Sequence, residues 1–346
     1  MAKREFLMLA HDCDKQARTF KSETWFKSEK LDGMRAFWDG GVTRGKMPRF
    51  TKGLVATGLW SRYGKIIYAP ASWLNSLPPV PLDGELWLGR NRFQELVSIV
   101  KKHNPDPAKW ATVGYKCFDI PGLEDVWAPG LINNPIVTLP ISEELHDQMF
   151  EWAHAAGVPW SSSHQFVWTR KRLRDEYPDL YHPQDHWDGD WGYLVDDELV
   201  ELTKQGGEGI MLRAGGSCWS PERSWDLLKL KKIFDSEATV LGYTFGRETD
   251  RGSKLLGKMG AMTVEWIHPK KRTTHVFDLS GFTDEEREFD AMHMTEYARE
   301  HPGEIAPAWI MNKTFPRGSS VTFCYRTTTK DGKPREAKFW RKYDLS

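Results

Sequence analysis

Apolar positions along this chain recur with two different periods. In NRFQELVSIVKKH, residues 91–103, Phe93 is followed by Leu96, Val97 and Val100, the i, i+3, i+4, i+7 stripe that predicts an amphipathic helix. ISEELHDQMFEWAHAAG, residues 141–157, repeats the stripe, with Ser142 as N-cap and Gly157 as stop. TDEEREFDAMHMTEYAREH, residues 283–301, opens on Thr283 and Glu286, a capping-box pair that predicts a third, long helix. Between these stretches lie short aromatic or β-branched runs at 34–38, 84–88, 113–118, 208–213, 226–231, 237–244, 260–266, 274–281, 319–327 and 337–343, each predicting a strand. Residues 120–140, rich in Pro, Gly and Asn, and 176–192, EYPDLYHPQDHWDGDWG, read as long surface loops.

Strands and helices mix without a βαβ rhythm, which predicts an α+β fold with antiparallel sheets. After residue 235 the order becomes strands, one long helix and more strands, which suits a small β-barrel of the OB type. Two domains follow, 1–234 and 235–346, and 346 residues are enough for both. Formal net charge is zero, so bulk charge favours neither nucleic acid nor membrane. Basic residues do gather locally, at 170–174, 229–232, 247–258 and 333–342. The four cysteines, Cys13, Cys117, Cys218 and Cys324, show no zinc spacing and read as reduced thiols. The start, MAKREFLMLAHDCDK, has only FLMLA as an apolar run, too short for a signal peptide, and no stretch approaches a membrane span. A cytoplasmic protein is the expectation.

SEKLDGMRAFWDG, residues 28–40, sets Lys30 just ahead of a strand run. Lys-x-Asp-Gly is common by chance, and alone it would be a solvated turn lysine; the rest of the chain gives it company. PLDGELWLG sets Glu85 in an apolar stretch, and GYKCFDIPG ends a strand on Phe118 and Asp119. KQGGEGIMLR places Glu208 after two glycines, where backbone can approach a ligand closely. In WDLLKLKKIFDSEATV, Lys229 and Lys231 alternate with leucines, which puts both on one face of a strand. These parts suit nucleophilic attack by a lysine amine on a nucleotide α-phosphate. Lys229, Lys231 and a divalent ion would balance the phosphate charge, Glu208 and Glu85 would hold the ion, and Phe118 would stack on a purine. No GKS or GKT occurs, so side chains rather than a P-loop would hold the phosphates. His182, Asp185, His186, Asp188 and Asp190 could suggest a metal site, but a solvated loop explains them better.

Six stretches, EKLDGMR, SRYG, LDGELW, KCFD, EGIML and LLKLKK, occur in that order. With them the chain resembles the ATP-dependent DNA ligases of the covalent nucleotidyltransferase superfamily, above all the minimal bacterial and phage type, over residues 25–345. The resemblance implies an adenylation domain of antiparallel sheets and helices over 1–234 and an OB-fold β-barrel over 235–346. It implies ATP as cofactor, with AMP carried on Lys30, and Mg²⁺, for which Mn²⁺ could substitute. Glu29 would join the nucleotide-binding set, and Arg35 and Arg62 would contact the nucleotide sugar or the nick phosphate. Glu85 would bind ribose or metal, Phe118 would stack on adenine, Glu208 would bind metal, and Lys229 and Lys231 would neutralise the α-phosphate. The implied partner is nicked double-stranded DNA, sealed by a monomer in replication, repair or recombination, with no membrane role. RNA ligation, mRNA capping and a non-catalytic OB-type nucleic-acid module are the alternatives; retention of Lys30, both glutamates and both lysines argues against the last.

The chain departs from the family pattern twice. Residues 41–59, GVTRGKMPRFTKGLVATGL, look inserted, which makes Arg44 a rival to Arg62. Arg44, Lys46, Arg49 and Lys52 give this segment four cations and no carboxylate, so it is the first candidate for DNA grip; Arg251, Lys254 and Lys258 are the second. In DGKPREAKFWRKYD, Glu336 and Ala337 replace a common aromatic–proline pair, which leaves Arg335, Lys338, Arg341 and Lys342 as rival contacts for pyrophosphate.

Overall fold

Among the described residues, nine strands between Leu9 and Lys231 form two sheets. They are β1 (Leu9–Asp12), β2 (Trp25–Lys30), β3 (Met34–Asp39), β4 (Leu59–Ser61), β5 (Pro81–Trp87), β6 (Gly114–Asp119), β7 (Asp185–Trp187), β8 (Gly209–Ala214) and β9 (Arg223–Lys231). One sheet runs β1-β9-β8-β2-β7 and the other β4-β3-β5-β6. The computed structural model describes residues 7–13, 24–127, 143–161, 163–248, 254–290, 293–329 and 331–342. The chain divides into two units, Met1–Lys231 and Lys232–Ser346. Among the described residues no helix is long and apolar enough to cross a membrane.

The sheets are antiparallel as expected, with one exception: β1 pairs with β9 in parallel. Nearly the whole first unit separates these two strands, so no hairpin fixes their direction. Helices cover the sheets: α1 (Ala71–Leu74), α2 (Phe93–Val100), α3 (Pro107–Trp110), α4 (Leu123–Trp127), α5 (Glu143–Ala155), α6 (Phe166–Glu176) and α7 (Leu199–Lys204). The α2 stripe buries Leu96, Ile99 and Val100, and α5 buries Leu145, Met149 and Ala153 before Gly157, at φ +66°, ends its run. Ser142 lies outside the described residues, as does most of 120–140, although 123–127 is the helix α4. Segment 176–192 is not a plain surface loop. It contains β7 and buries His182, Gln184 and Trp187, because β7 completes the edge of the first sheet against β2.

In the second unit β10 (Phe234–Phe245), β11 (Met259–Ile267), β12 (Thr274–Leu279), β13 (Ser320–Tyr325) and β16 (Lys338–Lys342) form one antiparallel sheet ordered β12-β11-β10-β13-β16. A ribbon of β14 (Thr327–Thr328) and β15 (Pro334–Arg335) precedes the last strand. The two edges meet at a Ser280–Lys338 bridge, where the Phe339 amide donates to the Ser280 carbonyl at 2.9 Å. Five strands curled until their edges touch are OB-like. The long helix expected over 283–301 is not formed. The capping box exists, with Thr283 N donating to Glu286 Oε2 at 2.7 Å and Glu286 N to Thr283 Oγ1 at 3.2 Å, but it closes only a turn. Buried Arg287 donates to the carbonyls of Met259 and Gly260 and pulls the chain onto β11; α8 (Met294–Glu300) starts later.

Segment 41–59 is an ordered loop seated on the first unit. Val42 and Ala56 are buried in a cluster with Phe37, Trp60, Trp127 and Met149, against which Phe50 rests. Its base is fully buried Asp39, which accepts from Gly41 N at 2.9 Å, Thr43 N at 3.3 Å, Thr43 Oγ1 at 2.5 Å and Trp60 Nε1 at 3.1 Å. Asp39→Ala leaves these donors without their acceptor and should cost about 2–4 kcal/mol of stability. Urea unfolding checks this, and a loss below about 0.5 kcal/mol, the size of an ordinary surface substitution, would show that the loop does not depend on this carboxylate.

Candidate functional site

Register brings the sequence-predicted residues of the first sheet together. Lys30 closes β2 opposite Gly209 of β8, and Gly209 lies opposite Lys231 of β9, so both lysines stand in one cross-strand row. Glu208 immediately precedes that row. Its Oε2 accepts from Lys30 Nζ at 2.5 Å and its Oε1 from Lys231 Nζ at 2.5 Å. Gly209 makes the approach possible, since a Cβ there would collide with the Leu230 carbonyl oxygen. Burial pushes the Glu208 carboxyl up, but the charges and hydrogen bonds of Lys30 and Lys231 outweigh it and hold the carboxyl below its ordinary range. Lys229 shares the face of Lys231, as the alternation required, and pairs with Asp12 at 3.5 Å.

The second sheet supplies another row, Arg35 on β3, Glu85 on β5 and Lys116 on β6. Gly33 is needed just before it: a Cβ at Gly33 would stand 2.6 Å from Glu85 Cγ and press on the Leu86 carbonyl. Burial raises the Glu85 carboxyl to about 7; Lys30 and Arg35 work against the shift, and Glu208 and Asp83 add to it. Arg35 is gripped by Asp83, Nε to Oδ1 and Nη2 to Oδ2 both at 2.6 Å, and Asp83 also accepts from Trp219 Nε1 at 2.8 Å. So held, the Arg35 guanidinium lies 4.5 Å above the Phe118 ring.

The side chain of Glu29 shares its side of β2 with its partner Ile210, opposite to that of Lys30. Arg90 embraces it, Nε to Oε1 at 2.8 Å and Nη2 to Oε2 at 2.9 Å, and reaches Gln205 Oε1 at 3.1 Å. The Glu29 carbonyl lies 2.7 Å from His182 Nε2, and burial pushes the His182 imidazole below its ordinary pKa. Arg90, Asp83 and Trp219 were missed by sequence reasoning. Asp83 sits two residues before Glu85 in LDGELW, the one signal that could have found it.

The other expected residues of the first unit belong to neither row. Arg62 is exposed on the turn after β4 and donates to Tyr63 Oη at 2.5 Å. Arg44 donates to Asn75 Oδ1 at 2.8 Å, Lys46 lies 5.2 Å above the Trp152 ring, Arg49 pairs with Glu144 at 3.2 Å, and Lys52 is exposed. In the second unit Lys254 pairs with Asp284 at 2.9 Å and Lys258 with Glu288 at 3.1 Å. Arg335 and Lys338 are exposed there, and Arg326 pairs with Glu336 at 2.9 Å. Arg251 and the side chains of Arg341 and Lys342 lie outside the described residues. Among those described, no group of three or more His, Cys, Asp or Glu is placed to hold a metal by itself.

No family model matches the chain. It is 25% identical over 343 residues to a protein of Haemophilus influenzae named DNA ligase, which covers 97% of this chain and 91% of that protein. Its structure is similar to one described as "DNA binding with a minimal scaffold: Structure-function analysis of Lig E DNA ligases", with TM-score 0.60 and 26% identity over 97% of this chain and 98% of that one. A structure described as "Pmar-Lig_Pre." shares the fold, with TM-score 0.60 and 20% identity over 98% of this chain and 67% of that one.

The Glu85 shift has a measurable consequence. With its carboxyl raised from 4.5 to about 7, the folded protein keeps a proton that the unfolded chain has released, so this group lowers stability as pH rises through that window. In Glu85→Gln that component of the slope should vanish. Urea unfolding of both proteins between pH 5 and 8, with the carboxyl infrared band followed in parallel, checks it. Equal slopes and a band titrating in the ordinary carboxylate range would contradict the shift.

Proposed function

We infer that this chain, a member of the DNA ligases of the covalent nucleotidyltransferase superfamily, seals 5′-phosphate/3′-hydroxyl nicks in duplex DNA at the expense of ATP. The observation that carries the reading is Lys30 at the end of β2, bonded to Glu208 in one row with Lys231. In the first step the unprotonated Lys30 Nζ attacks the α-phosphorus; an N–P bond forms and the bond to pyrophosphate breaks. Lys231 and Lys229, on one face of β9, would balance the negative charge that grows on the phosphate oxygens. Glu208 fixes Nζ before attack and is the nearest acceptor for a proton leaving it. A 5′-phosphate oxygen of the nick then takes the AMP from Lys30, which regains its amine. Finally the 3′-hydroxyl attacks that 5′-phosphorus and AMP departs.

Phe118 would stack on adenine, and Arg35, held by Asp83 over the Phe118 ring, would contact the sugar or the nick phosphate. Glu208 and Glu85 suit a divalent cation, Mg²⁺ with Mn²⁺ as substitute. Glu85 and Glu208 lie close enough to feel each other's charge, and Mg²⁺ draws most of its ligands from water and phosphate, so two carboxylates suffice. When bound, the ion withdraws charge from the phosphate oxygens. A monomer at work in the cytoplasm, with Glu29 and Arg62 in the nucleotide-binding set, rests on the family resemblance.

Labelled ATP with Mg²⁺, followed by a denaturing gel, should leave label on the protein, and labelled GTP should not. Lys30→Ala should fold and take no label. Lys30→Arg should fail equally, since a guanidinium stays protonated. A normal adduct on either variant would remove Lys30 as nucleophile. For grip, changing Arg44, Lys46, Arg49 and Lys52 together to Ser should weaken nicked-duplex binding and flatten its log–log salt slope, by about 0.9 for each phosphate no longer neutralised. An unchanged slope and sealing rate would move the grip elsewhere.

A further inference from the structure

Segment 41–59 carries more than cations. Met47, Leu54 and Val55 stand out from it with 65%, 52% and 52% of their surface exposed, beside Lys46, Arg49 and Lys52. Slack backbone is not the cause. Gly45 N donates to the Ala56 carbonyl at 2.9 Å and Ala56 N to the Lys46 carbonyl at 2.8 Å. Thr51 Oγ1 donates to the carbonyls of Pro48 and Leu54, at 2.7 and 2.6 Å, and Asp39 ties down the base. The same loop buries Val42 and Ala56 inward, so its apolar residues are sorted into a seated set and a presented set. A braced loop that presents three apolar side chains is placed for contact with something.

The charge identifies the contact. Residues 41–59 contain no carboxylate, and the one acidic partner of these cations among the described residues is Glu144, in an ion pair with Arg49 whose side chains are 77% and 60% exposed. Such a pair is weak and exchanges readily for a phosphate. We propose that the loop is a wedge for duplex DNA: Met47, Leu54 and Val55 enter the minor groove against sugar and base edges while Lys46, Arg49 and Lys52 take the flanking phosphates. A duplex suits both halves of the surface, since apolar side chains that enter a minor groove partly unstack a base step and the flanking phosphates want cations. The proposal rests on the DNA ligase reading and adds to it an apolar grip that charge alone does not supply.

Salt separates the two halves. Ionic contacts set the slope of log affinity against log salt, whereas apolar contacts shift affinity at every salt concentration alike. The full chain with Met47→Ser, Leu54→Ser and Val55→Ser together should bind a nicked duplex about tenfold or more weakly with an unchanged slope, because three partly exposed side chains no longer bury apolar surface. A 2-aminopurine placed next to the nick should brighten on binding the wild type and stay dim with the variant. Labelling of Lys30 by ATP should be equal in both, which shows that the variant folds. Wild-type affinity and brightening in the triple variant would overturn the proposal. So would unchanged nick binding together with abolished binding to vesicles of anionic phospholipid, which would assign the loop to a membrane surface. Failure of the wild type itself to take label or seal nicks would instead sink the ligase reading.

Discussion

One carboxylate between two ammonium groups governs this site. Glu208 bonds Lys30 and Lys231 at the same time, and neither bond could form unless β2, β8 and β9 lay side by side in one register. A slip of one residue in β2 or in β9 would turn that strand's lysine to the opposite face. Half-buried charge is costly to hold unless each member is paired, and this trio pairs all three while leaving a net positive charge. That surplus suits a phosphate.

The second sheet answers the first. Glu85 is buried away from water, so its proton is hard to remove although Lys30 and Arg35 stand near, and Glu208 and Asp83 add to the shift. Asp83 holds Arg35 in two bonds, which seat the guanidinium over Phe118. Arg90 plays a comparable part on the other side of β2. It joins Glu29, the neighbour of Lys30, to Gln205, three residues ahead of Glu208. The two ends of the Lys30–Glu208 bond are thereby tied to each other by a second route.

Much of this was legible in the sequence. Alternation alone set Lys229 and Lys231 on one face, and the aromatic and β-branched runs located β3, β5, β6, β8, β9 and most strands of the second unit. Strand β2 escaped the pattern, because WFKSEK lacks a clean period; pairing with β8, far along the chain, makes it a strand. Non-local pairing also hid the parallel β1. The capping box at Thr283 is real as chemistry, yet buried Arg287 overrides the local preference for helix. Asp83 and Arg90 are polar residues among many, and only distances mark them. Nothing in the sequence sorts exposed Met47, Leu54 and Val55 from buried Val42 and Ala56, since hydrophobicity does not say which side of a loop a residue occupies.

The sheet that carries Lys30 is long in the middle and short at the rims. Strand β9 has nine residues, whereas β1 and β7, the two outer strands, have four and three. Strand β1 is further broken by a register shift between Ala10 and His11 and ends on exposed Asp12. A rim this short, irregular and charged is a poor template for a strand from another molecule. The architecture that aligns the lysines therefore also guards against edge-to-edge aggregation, so the protein should tolerate crowding at high concentration without building fibrils from its own reactive sheet.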